Sequence, residues 1–327
     1  MSRRNLILIH RGADYERDFE EIAQKVNALD KGIMIYQLSA GFSARLPDAA
    51  WELPTLTVAM SSRFGLKIRR GPVLKNGYIN KLEQARRVRA SGIATPPMMK
   101  FMPGMPLDPI MFGEFVVIKP MTLTSKGDGV QLFRRRKLQE KSIRDFPANH
   151  PIHHDKEGYL VQKFIDTGEY PAWNRVMTFF GRPVYAVHGV LTVPRPPLNA
   201  TDAELENAAI AIQAAARQRE WQVDEDVIDL AKVTSDAFAE IPFLAIDILR
   251  DVKSRKLYFL ECNPGGNTWH FSSSQPGGIN LRHQLGEIEK NGPELALELG
   301  RQRMIAQFNA FDVIAESLVE KTQMLAT

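Results

Sequence analysis

Apolar positions along the chain follow two rhythms. Short apolar runs at residues 5–9, 32–36 and 53–59 flank a stretch, 15–29, in which apolar residues recur at helical spacing. Short runs alternating with a helix predict a small α/β unit with parallel strands. Asn80 stands where its side-chain oxygen can accept from the free amides of a helix's first turn, so a helix is expected from there to about Ala90. Gly92 ends it, and Pro96 and Pro97 forbid its return. A domain boundary is placed at residues 92–97.

Beyond that boundary the pattern reads strand, turn, strand: an apolar run at 115–120, a polar glycine-bearing loop at 122–129 and a second run at 130–133. Residues 159–165 form another run, and 175–187 read as a hairpin turning at Gly181. Helices are expected over 203–221 and 224–239. Two further strands, 242–249 and 256–263, are joined by the charged turn 250–255, and the stretch from 293 to about 320 reads as one or two amphipathic helices. No internal repeat is found. Three segments follow: 1–94, 95–158 and 159–327.

A length of 327 residues corresponds to about two domains. With 44% hydrophobic and 24% charged residues, 22 Gly and 20 Pro, collagen-like and disordered readings drop out. No run approaches the roughly 18 apolar residues of a membrane span, and the apolar stretch near Met1 is too short for a secretory signal, so a cytoplasmic protein is expected. The formal net charge is +4. Its densest basic run, Arg134, Arg135, Arg136 and Lys137, is diluted by Glu140 and Asp145, which favours a solvated surface over a nucleic-acid patch. The single cysteine, Cys262, excludes an intramolecular disulfide.

The chemistry concentrates in the last strand pair. Asp247 interrupts one apolar run, and Glu261 and Asn263 interrupt the next. Strand alternation puts Glu261 and Asn263 on one face and Cys262 on the other. If the turn at 250–255 makes the strands antiparallel, Asp247 comes close to Glu261. Facing carboxylates in a half-buried sheet need a cation, and hard oxygen donors suit magnesium. The bland alternative is a polar pair satisfied by a neighbour such as Arg250. Lys119, at a strand end beside the glycine loop, is placed to meet phosphate or to snorkel at the surface. Neither a Walker A loop nor G-x-G-x-x-G occurs. A zinc site at His150, His153 and His154 has only Asp155 as a nearby acid, which argues against it.

Taken in order, Asn80-Lys81, residues 92–97, Lys119-Pro120, the glycine loop, residues 161–165, the hairpin, Asp247 and Glu261-Cys262-Asn263-Pro264-Gly265-Gly266 resemble the ATP-grasp superfamily, in particular its carboxylate-amine ligases. The resemblance runs from about Asn80 to Ser274. It implies an α/β fold in which two α+β lobes clamp ATP, preceded by an N-terminal α/β domain at 1–94. The lobe at 95–158 would carry the phosphate-covering loop, and 159–327 the metal site and C-terminal helices.

By the same resemblance Lys119 contacts the nucleotide phosphates and Ser125, Lys126, Gly127 and Gly129 belong to the covering loop. Gln162, Lys163, Phe164 and Ile165 form a hinge whose backbone pairs with adenine, and Glu169 holds the ribose. Asp247, Glu261 and Asn263 bind magnesium, with Glu261 bridging two ions; manganese can substitute. Arg175 faces phosphate or a substrate carboxylate, with a structural ion pair as its alternative. The sequence departs from the pattern at Trp173, where relatives often carry an acid, and the insertion at 170–173 unsettles the Glu169 assignment.

The implied reaction activates a carboxylate as an acyl phosphate and joins it to an amine, with ADP released. Small carboxylates and amines, including amino acids or a peptide, are the expected partners, and a homo-oligomer is left open. Asn267, Thr268 and His270 are candidates for substrate or oxyanion contact, against a turn that packs Trp269 and Phe271 into the core. Arg195 is a further anion-binding candidate, and Cys262 reads as a small core residue. Two other readings are a phosphotransferase of the same fold acting on a hydroxyl, and a non-catalytic nucleotide-binding protein.

Overall fold

The computed structural model describes residues 3–41, 45–121, 129–208, 210, 217–221, 223–265 and 268–327. The N-terminal sheet has the order β2-β1-β3-β4, with β1 (Arg4–His10), β2 (Ile33–Ser39), β3 (Thr55–Ala59) and β4 (Val73–Lys75), all neighbours parallel. Parallel strands are covered on both faces and therefore read as continuous apolar runs. Leu6 and Leu8 of β1 face helix α1 (Glu16–Leu29) and its Phe19, Ile22 and Val26, while Ile7 and Ile9 pack with Leu66 on the other side. Strand β4, only three residues long, has too little pattern to be read from the sequence.

Helix α2 (Lys81–Ala90) starts where expected, the Asn80 side chain accepting from the Glu83 amide at 2.9 Å. It leads into an antiparallel sheet of order β5-β8-β6-β7, made of β5 (Met98–Lys100), β6 (Phe115–Pro120), β7 (Gln131–Arg134) and β8 (Tyr159–Lys163). Two short helices, α3 (Pro109–Phe112) and α4 (Arg135–Glu140), flank it. Strand β8 begins at residue 159, the expected start of the third segment, yet lies between β5 and β6. The reason is pairing: its apolar run supplies Tyr159 and Val161 to the core of this sheet. The basic run is partly absorbed as well. Arg134 binds Asp202 and the carbonyls of Leu198 and Ala200, and Arg135 binds those of Gly113 and Leu107.

The third sheet has the order β11-β10-β9-β12-β13, with β9 (Ala172–Phe179), β10 (Arg182–Leu191), β11 (Arg217–Glu220), β12 (Phe243–Arg250) and β13 (Leu257–Pro264), all neighbours antiparallel. The β9–β10 hairpin turns through Phe180 and Gly181, both at positive φ, the geometry that matches strand twist. A helix over 203–221 is not what forms. Helix α5 (Asp202–Glu206) ends after five residues, and residues 217–220 pair with β10 instead. Cross-strand pairing there overrides the helical composition of the segment.

Helix α6 (Glu225–Asp236) covers one face of this sheet, packing Val227, Ile228 and Ala231 on Val176, Leu244, Ile246 and Cys262. Four more helices follow: α7 (Pro276–Gly286), α8 (Ile288–Asn291), α9 (Pro293–Ala306) and α10 (Ala310–Leu325). Phe311, Ile314 and Leu318 of α10 share one core with Leu6 and Leu56 of the N-terminal sheet and with Met177, Tyr185 and Phe243 of the third sheet. Among the described residues no helix is long and apolar enough to cross a membrane.

Candidate active site

Three strands of the third sheet place three charged side chains in a row. Asp247 on β12 stands opposite Arg175 on β9 and opposite Glu261 on β13. Two residues along the same face, Ala245 stands opposite Met177 and Asn263. Beside the row β13 carries a bulge, since Glu261 pairs with Asp247 but Phe259 already pairs with Ile248, so Leu260 is the extra residue. Such an irregularity re-aims the side chains next to it.

Arg175 grips Asp247 with both arms, Nε to Oδ1 at 2.6 Å and Nη2 to Oδ2 at 2.7 Å. Asn263 donates from Nδ2 to the same Oδ2 at 3.2 Å. Burial alone raises the pKa of Asp247, and the Arg175 guanidinium works against that rise. Burial likewise opposes the charge on Arg175, but Asp247 outweighs it and the guanidinium is held more firmly protonated than usual. A bidentate pair at these distances is a charged pair. Arg250, a candidate for this role, instead binds Asp224 and Asp226.

Two lysines approach from outside the sheet. Lys81, in the first turn of α2, places Nζ 3.6 Å from Glu261 Oε2 and 3.1 Å from the Pro120 carbonyl. Burial would raise the pKa of Glu261, but Lys81, Lys119 and Arg175 together bring it below its ordinary value. Lys119, at the end of β6, is 5% exposed, and its Nζ has no hydrogen-bond partner among the described residues. Burial pushes its pKa down to about 8; Glu261 and Asp247 pull upward and Lys81 pushes further down. Among the described residues, Arg175, Lys81 and Lys119 set against Asp247 and Glu261 leave one positive charge in excess, and of the three cations Lys119 is the one whose charged group has no hydrogen bond.

The acidic row also fits a hard cation. A carboxylate offers about four lone-pair directions; on Asp247, Arg175 takes two and Asn263 one. Asn263 spends its nitrogen on that bond, which leaves its Oδ1 as an acceptor. The donor set is Glu261, Asn263 Oδ1 and the remaining Asp247 position, oxygen throughout, as magnesium requires.

The other candidate residues fall in several places. Gln162 is buried in β8 with Oε1 unpartnered. The amides of Lys163 and Phe164 already donate to the carbonyls of Pro97 (2.8 Å) and Phe115 (3.1 Å), so sheet pairing uses these donors. Ile165 is buried, and Phe164 lies under the Arg195 guanidinium at 5.9 Å. Arg195 itself pairs with Asp166 at 2.8 Å. Glu169 is exposed, and its carbonyl accepts from the Arg195 amide. Gly129 has φ 72°, and a Cβ there would overlap the Tyr159 hydroxyl. Ser125, Lys126, Gly127 and Asn267 lie outside the described residues.

After β13, residues 268–271 are core rather than surface. Trp269 and Phe271 are fully buried, and Trp269 Nε1 donates to Asp18 Oδ2 at 2.8 Å. Thr268 gives its hydroxyl to the Gly265 carbonyl (2.9 Å), while its own carbonyl accepts from Tyr185. The His270 carbonyl accepts from Arg282, and the His270 ring lies 6.1 Å from that of Tyr185. Cys262 is buried in the α6 core, facing away from the acidic row. His150 bonds Gln131 Oε1 at 2.9 Å and accepts from the Ile152 amide. Among the described residues no three His, Cys, Asp or Glu side chains group to hold a metal.

Sequence reasoning gave Lys81 no role of its own. A signal was present: a lysine in a first helical turn opposes the helix dipole, so such a cation needs an anion nearby. Trp173, where an acid was expected, lies opposite Gly189, and a Cβ at Gly189 would overlap its ring.

No protein-family model matches the chain, and no curated protein matches it in sequence. In structure it is similar to D-cycloserine synthetase DcsG (13% identity, 92% of this chain and 99% of that one, TM-score 0.46). It is also similar to the D-alanine–D-alanine ligase of Bacillus anthracis (14%, 98% and 99%, TM-score 0.43). A third solved structure is the ATP-grasp ligase PsnB complexed with a minimal precursor (11%, 97% and 99%, TM-score 0.48).

Proposed function

We propose that the chain is an ADP-forming ligase of the ATP-grasp kind that joins a carboxylic acid to an amine. The observation that carries this reading is the convergence of Lys119 and Lys81 on the acidic row, with an excess positive charge buried on Lys119. A desolvated, unpaired ammonium beside oxygen donors suits a phosphate chain bound together with a divalent cation.

In this reading Lys119 meets the phosphates, and its partial dehydration strengthens that contact because less water must be displaced. Arg175 keeps Asp247 ionised and immobile, and Lys81 does the same for Glu261, so the oxygens are oriented before anything binds. Phe164 and Ile165 offer apolar surface to the base. Magnesium, when bound, would supply charge neutralisation to the phosphates, held by Asp247, Glu261 and Asn263. The reaction would pass the terminal phosphoryl group to a carboxylate oxygen, and an amine would then displace phosphate to form an amide.

The test is a screen of amino acids, short peptides and small carboxylates for ADP release with magnesium, with mass spectrometry of products. Release that needs both an acid and an amine is expected; a stable phosphorylated hydroxyl compound would instead establish the phosphotransferase. Glu261→Gln should lower turnover by at least about a hundredfold, since even residues behind metal ligands cost ten- to a hundredfold. Its circular dichroism should match the parent, and unchanged turnover would remove the cation assignment.

A further inference from the structure

Among the described residues β13 is the last strand of its sheet, and one side of its backbone has no neighbouring strand. At Cys262 that gap is filled by a side chain. Gln84 of α2, 1% exposed, accepts from the Cys262 amide through Oε1 at 2.8 Å and donates from Nε2 to the Cys262 carbonyl at 2.9 Å. Its other amide hydrogen goes to the Ile79 carbonyl at 2.9 Å, which fixes which end of the carboxamide is which. The pair of bonds to Cys262 copies what one residue of an adjacent strand would make.

The place is specific. Cys262 lies between Glu261 and Asn263, and two residues from the bulge at Leu260. A bulge increases the local twist of its strand and re-aims the side chains beside it, and at an edge only one neighbouring strand resists that twist. Here added twist would turn Glu261 and Asn263 away from Asp247. Lys81 stands one helical turn before Gln84, so one face of α2 holds both the backbone of β13 and the carboxylate of Glu261.

We propose that Gln84 is a positioning residue for the cation site: its carboxamide stands in for the missing strand and holds Cys262 so that Glu261 and Asn263 face Asp247 together. This rests on the proposed function, in that the acidic row is taken to bind a divalent cation with a nucleotide.

The experiment measures Mn2+ affinity of the full chain with ADP present, ADP affinity without metal, and amide hydrogen exchange at Cys262. Gln84→Met keeps the length and loses both bonds. It should weaken Mn2+ binding by about ten- to a hundredfold, the usual effect of losing a group behind the ligands. It should speed Cys262 exchange and leave metal-free ADP affinity within about twofold. Gln84→Glu, which retains the acceptor for the Cys262 amide, should fall between parent and Gln84→Met and serves if the latter does not fold. Cys262→Ala keeps the backbone bonds and should bind Mn2+ like the parent. Unchanged Mn2+ affinity in a folded Gln84 variant overturns the proposal and leaves the proposed function standing, as does an equal loss of metal-free ADP affinity. A parent chain that takes up no Mn2+ with ADP overturns both.

Discussion

Lys119 carries a cost in the free protein that a ligand would relieve. Its pKa falls from 10.5 to about 8, with burial the first cause. The unfolded chain therefore holds this proton more tightly, and stability rises with pH between about 8 and 10.5 as the folded form sheds it. At 1.36 kcal/mol per unit this amounts to roughly 3 kcal/mol. Lys119→Met should accordingly stabilise the ligand-free protein at pH 7 by up to about that amount, and the advantage should shrink toward pH 10. Urea denaturation of both proteins at the two pH values measures it; a variant less stable at pH 7 would contradict the buried charge. The residues of the acidic row were legible because each breaks an apolar run. Gln84 and Asp18 were not, for a polar residue in an amphipathic helix looks the same whether it meets water or a distant strand.

Among the elements, helices α7 and α9 meet most closely at glycines. A Cβ on Gly300 would overlap the Arg282 carbonyl, and one on Gly286 would overlap that of Ala296. Neither neighbour is a flexible side chain, so the helices must part to make room. Gly300→Ala should destabilise by about 3 kcal/mol, the upper part of the overpacking range, although alanine favours helix; calorimetric melting decides it, and a gain in Tm would show that the contact is looser. Strands that are nearly continuous apolar runs, such as β6 and β12, were readable from the run and from the polar turn that follows it. Strands β4 and β11 were not, since three or four residues hold no period and their pairing partners lie elsewhere in the chain.

At the scale of the whole molecule, α1, α9 and the segment after β13 are joined at Asp18, which is fully buried. Trp269 donates to one oxygen and Arg301 to the other at 2.8 Å, and Arg301 also reaches Glu21 at 2.9 Å. Burial raises the Asp18 pKa, with Arg301 the main opposing influence. Arg301→Met strands the carboxylate and should cost about 3–5 kcal/mol. Adding Asp18→Asn, which can still accept from Trp269, should recover part of that loss; additive losses in denaturant melts would show that the two do not act as a pair. Nothing local announces this junction, because its members come from opposite ends of the numbering.

The sharing of one core between β1 and α10 bears on how the chain is made. Leu6, Leu8, Phe19 and Ile22 emerge early in synthesis, but Phe311, Ile314 and Leu318, which cover them, are translated some three hundred positions later. Throughout that interval the nascent N-terminal sheet carries an uncovered apolar face, so the emergence of α10, rather than of the first strands, sets the moment at which this core can close.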